Sequence, residues 1–82
     1  MALFIRSDGY KCHIEPNNGT DFSLEELQGY VGGYIQIVAV DNLRVMVVDE
    51  EGLLLPINQT ASNMIGQRIV GDVVVCLSKE IK

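Results

Sequence analysis

The chain has 82 residues, 48% of them hydrophobic and 21% charged, a composition that folds as one domain and leaves no room for two cores. Its net charge of −5, with six Lys and Arg against eleven Asp and Glu, excludes a binder of duplex nucleic acid, whose affinity comes from cations neutralising phosphates. Two cysteines are too few for a disulfide framework, the opening residues lack the form of a secretory signal, and no apolar run nears the ~18 residues of a membrane span, so a cytoplasmic domain with free thiols is expected.

Residues 2–6 and 10–15 read as strands around Ser7-Asp8-Gly9, because Asp-Gly supplies the backbone angles of a tight hairpin. The turn formers from Pro16 to Thr20 make a loop. Ser23-Leu24-Glu25-Glu26 has the form of a capping box and opens a short helix with Leu24, Leu27 and Val31 on one face; Gly32-Gly33 ends it. Two β-branched runs, 34–40 and 43–49, flank Asp41-Asn42 as a second hairpin, with Ile35, Ile37 and Ala39 on an apolar face. Leu53 to Leu55 reads as a short extended run ending at Pro56, Asn58 to Met64 as a helical turn capped by Asn58, and residues 69–78 as the last strand, with a fraying tail over 79–82. The expected fold is α+β over residues 1–82: a small, mostly antiparallel sheet of about five to six strands, with one short helix and a helical turn on one side.

No catalytic constellation emerges. His13 adjoins Cys12, but neighbours on a strand point to opposite faces, so the pair does not form a nucleophile and base. The acids Asp49, Glu50 and Glu51, with Glu25 and Glu26, could hold a metal, yet a turn and a helix N-terminus attract acids for structural reasons. No metal, cofactor or catalytic residue is therefore assigned, and the chain is expected not to be an enzyme. The better candidate is a binding site: Tyr30 and Tyr34 bracket Gly32 and Gly33, offering rings to stack on and backbone that a phosphate can approach, with Arg44 or Arg68 for charge and Asn58 for a polar edge.

Glu15-Pro16, the run from Phe22 to Gln28, Val31-Gly32-Gly33-Tyr34-Ile35, Asp49-Glu50-Glu51-Gly52, Pro56-Ile57-Asn58, Ala61 and Ile69-Val70-Gly71-Asp72 together resemble a family of short phage and mobile-element proteins classed as a domain of unknown function. The likeness covers about the last four-fifths of the chain. Gln36 departs from it, since members are expected to carry Glu there, which weakens an enzymatic reading further. The resemblance implies a viral protein acting in the host cytoplasm. By analogy with small phage binders it implies an anti-defence sponge: a homo-oligomer that sequesters a nucleotide-derived immune signal, a cyclic dinucleotide or an ADP-ribose derivative, without cleaving it. Two alternatives stand beside it: an acidic interaction module that inhibits a host protein, and a small metal-dependent phosphodiesterase.

Overall fold

Continuous apolar runs along the two central strands decide the architecture. The computed structural model describes residues 2–52 and 54–81. Strands β1 (Ala2–Ile5) and β2 (Lys11–Ile14) form the first hairpin, helix α1 (Leu24–Val31) follows, and β3 (Ile35–Ala39) and β4 (Arg44–Asp49) form the second hairpin. Helix α2 (Gln59–Ile65), β5 (Val73–Leu77) and a 3₁₀ turn (Ser78–Glu80) complete the chain. The sheet order is β2-β1-β5-β4-β3 and every neighbouring pair is antiparallel. The last strand thus enters between the two hairpins, joining them, and the α+β class stands. Among the described residues no helix is long and apolar enough to cross a membrane.

Strands β4 and β5 are apolar on both faces, so both faces need a cover. Phe22, Leu27 and Val31 pack on Ala2, Val47, Val74 and Cys76. On the opposite face Ala61 and Ile69 pack on Ile5, Met46, Val48, Val73 and Val75. The two helices therefore lie on opposite sides of the sheet, a correction to the expectation of one covered side. Each large side chain withdrawn from water contributes about 1.5–3 kcal/mol, and Phe22, Ile5, Leu27 and Met46 are all fully buried. Cys76, in the central strand, is a free thiol that burial, helped by the nearby Glu80 carboxylate, pushes up to about 11; Cys12, on β2, is partly exposed and also free.

Four further expectations change. The extended run before Pro56 is not a strand: Leu54 and Leu55 form a turn, and Leu53 lies outside the described residues. The final strand starts at Val73 rather than Ile69, because Gly71 takes a φ of 76° and breaks the extended run. The charged tail does not fray as far as Ile81, which bridges to Phe22 while Glu80 is buried and accepts from the Leu77 N–H at 2.9 Å. Leu24 is exposed, leaving Leu27 and Val31 as the buried stripe of α1.

Candidate functional site

Helix α1 ends where its C-cap, Gly32, turns left-handed at φ 91° and donates its N–H to the Gln28 carbonyl at 2.7 Å. Gly33 and Tyr34 then lead into β3. The second hairpin pairs Ile35 with Asp49, and the Glu50 N–H donates to the Tyr34 carbonyl at 2.9 Å, so the start of β3 and the end of β4 are held side by side. A Cβ on Gly33 would lie 3.1 Å from Asp49 Oδ2, so the missing side chain is what lets that carboxylate approach the glycine. Asp49 Oδ1 accepts from the Glu51 N–H at 2.8 Å and closes the turn. At Gly52 a Cβ would meet Val70 Cγ2 at 2.6 Å, a distance real side chains do not tolerate.

These contacts leave a cleft of about 320 Å³. Gly32, Gly33 and Gly52 give it backbone walls, Asp49 and Glu51 give it carboxylates, and Tyr34, Leu54 and Leu55 give it apolar surface. Tyr34 is 68% exposed and Leu54 99%, so both are open to an incoming ligand. A second hollow of about 410 Å³ continues past Gly32, Gly33 and Tyr34 to Gln28 and Gly29. A third, of about 240 Å³, sets Arg68 and Val70 beside Asp49, Glu50, Glu51 and Gly52.

The residues singled out in the sequence divide accordingly. Gly32, Gly33 and Tyr34 share the cleft, and Arg68 adjoins it across the acidic turn. Tyr30 faces elsewhere: its ring packs on Phe4 with centroids 5.1 Å apart, and it lines a separate hollow with Asn17, Glu26 and Gly29. Arg44 begins β4 while Asp49 ends it, roughly 17 Å apart along the strand, and its guanidinium is tied to Asp41 Oδ2 at 2.9 Å. Asn58 is fully buried. Its side-chain amide donates to the carbonyls of Ile5 at 3.0 Å and Gly71 at 2.9 Å, and its oxygen accepts from the Ala61 N–H at 3.0 Å, so the whole side chain serves the fold. Gln36 is exposed on β3 opposite Val48.

Sequence reasoning missed the acids, the third glycine and the leucines as a cleft. The signal was present in the hairpin: a two-residue turn at Asp41-Asn42 sets residue 34 opposite residue 49 by counting alone, and the actual three-residue loop, Asp41 to Leu43, shifts it by one to residue 50, so either register brings Tyr34 to the Asp49–Glu51 turn.

Two further acids have local work. Glu26 accepts from the N–H groups of Asn17 at 2.9 Å and Ser23 at 3.1 Å, and those backbone donors hold its carboxyl below its ordinary value. Asp41 is lowered by the backbone donor of Leu43 and by Arg44. Among the described residues no three of His, Cys, Asp and Glu gather as a metal-holding set.

Fold and cleft together define a small α+β domain with an acid-lined groove where the first helix meets the second hairpin. The chain belongs to the family described as domain of unknown function DUF3846, which it matches over residues 1–81. No curated protein and no solved structure matches it.

Proposed function

We propose that the chain is a non-catalytic binding domain that holds a basic, partly apolar segment of a partner protein in the cleft beside Tyr34. The observation that carries this reading is the lining itself: two carboxylates, Asp49 and Glu51, beside an exposed phenol and the exposed Leu54. Carboxylates attract Lys or Arg, the Tyr34 ring accepts a guanidinium over its face, and the leucines cover an apolar neighbour. A net charge of −5 steers such a partner in from a distance. In the phage or mobile-element setting that the resemblance implies, such a module works in the host cytoplasm by inhibiting a host protein.

Capture of a nucleotide-derived signal is the second reading. Gly32, Gly33 and Tyr34 lining one cleft favour it, since the ring can stack on a base and the carboxylates can accept from ribose hydroxyls. It comes second because phosphates need cations: Arg68 adjoins the cleft, whereas Arg44 is at the far end of β4, held by Asp41.

Titration calorimetry with a peptide alternating Arg and Leu tests the first reading, and a panel of cyclic dinucleotides and ADP-ribose derivatives tests the second. The peptide is expected to bind, to weaken as salt rises, and to lose about tenfold in affinity with Tyr34→Ala and at least as much with Asp49→Asn plus Glu51→Gln. Silence from the peptide with a thermal shift from a nucleotide transfers the site to the second reading; silence from both removes the two together.

A further inference from the structure

The two edges of the sheet are guarded unequally. Edge strand β2 turns the backbone groups of Lys11 and His13 outward, because Arg6 pairs with Tyr10 and, in the same register, Phe4 faces Cys12 across the inner side. A short edge carrying Lys and followed by Pro16 is the usual defence against another chain adding a strand. Edge strand β3 has no such defence: Ile35, Gln36, Ile37, Val38 and Ala39 include no charge and no proline.

Its outward groups can be assigned from the hairpin. Tyr34 and Val40 bond to β4, through the Glu50 N–H at 2.9 Å and the Arg44 carbonyl at 3.0 Å, so the even-numbered residues face inward. Alternation then turns the N–H and C=O groups of Ile35, Ile37 and Ala39 away from the sheet. Among the described residues nothing hydrogen-bonds to them. Ile37, at the middle of the strand, is 47% exposed although it is one of the most apolar residues available.

We infer that β3 is the interface of a homodimer, in which the outward edge pairs antiparallel with β3 of a second copy about a two-fold axis at Ile37. In this register Ile37 exchanges its N–H and C=O with Ile37 of the other copy, and Ile35 does so with Ala39, so the free edge is satisfied by itself. The side chains of Ile35, Ile37 and Ala39 lie on the α1 face, where the two copies of Ile37 meet and lose their exposure to water. Charge favours the antiparallel sense. It sets the two Asp49–Glu51 turns at opposite ends, on the order of 20 Å apart along the strand, whereas a parallel pairing would set them level with each other, about 14 Å apart across three strand spacings. The inference does not depend on what the cleft binds.

Light scattering on the purified chain across a concentration series, with circular dichroism to verify the fold, tests it. The wild type is expected at twice the chain mass of 9.0 kDa. Ile37→Lys places a charge on the edge, and Ala39→Pro removes one outward N–H while leaving the inward bonds of Val38 and Val40 in place; both are expected to be folded monomers. His13→Lys, on the opposite edge, stays dimeric. A wild type that is monomeric throughout the series, or a folded Ala39→Pro variant that remains dimeric, overturns the proposal.

Discussion

On one side of the sheet α1 presses Leu27 and Val31 onto Val47, Val74 and Cys76, with Phe22 beside them; on the other, α2 contributes Ala61 as its buried residue and is positioned by polar bonds. Asn58 ties the α2 N-terminus to Ile5 in β1 and to Gly71, and the Ser62 hydroxyl both donates to the Ile69 carbonyl and accepts from its N–H. Both faces of the sheet withdraw apolar area from water, but α1 brings large side chains of its own to that area, whereas α2 brings Ala61 and is fixed in place by directed hydrogen bonds, those of Asn58 fully buried. Area tolerates small adjustments, whereas a buried amide with its donors and acceptor all engaged does not.

The sharpest way to break this comparison is Asn58→Ala. It removes the cap of α2 and takes a donor from each of two buried carbonyls, those of Ile5 and Gly71, for an expected loss of about 3–5 kcal/mol, out of a total stability of roughly 4–12 kcal/mol for a domain of this size. Urea denaturation measures it, and a loss below about 1 kcal/mol would show that α2 is held by packing after all. The matching change on the other side is smaller. Ser23→Ala removes the hydroxyl that accepts from the Glu26 N–H at 3.1 Å, at an expected cost of about 1 kcal/mol in the same experiment, because Leu27 and Val31 still anchor α1.

The mildest test is titration. Backbone donors at Asn17 and Ser23 hold the Glu26 carboxyl below its ordinary value, so its contribution is complete above that ordinary value and disappears as pH falls through the lowered one. Wild type is therefore expected to melt above Glu26→Gln near neutrality, and the gap to close in acid. A gap that widens in acid reverses the sign and discards the capping role.

The contrast also explains what was legible in the residues. Helix α1 could be read because Ser23, Glu26 and the Leu27–Val31 spacing state its start and its buried face outright. Helix α2 was readable as a turn capped by Asn58, but its side of the sheet was not, since Thr60, Ser62 and Asn63 offer no apolar stripe to orient it. Half of the cleft was visible in Gly32, Gly33 and Tyr34. The other half was hidden because Asp49 and Glu51 read as a solvated turn, and only the register of a hairpin brings that turn to Tyr34. Asn58 looked like a polar reader of ligand for the reason that it is a polar reader of backbone.

Cys76 gives the domain a built-in clock. A thiol reacts with disulfide or alkylating reagents as its thiolate, and this one is 2% exposed in the central strand with its ionisation pushed to about 11, so the folded protein shields it twice over. Cys12, on the β2 edge, is partly open to solvent and offers a reference thiol on the same chain. The ratio of the two labelling rates reports how often the middle of the sheet opens, without a probe being added.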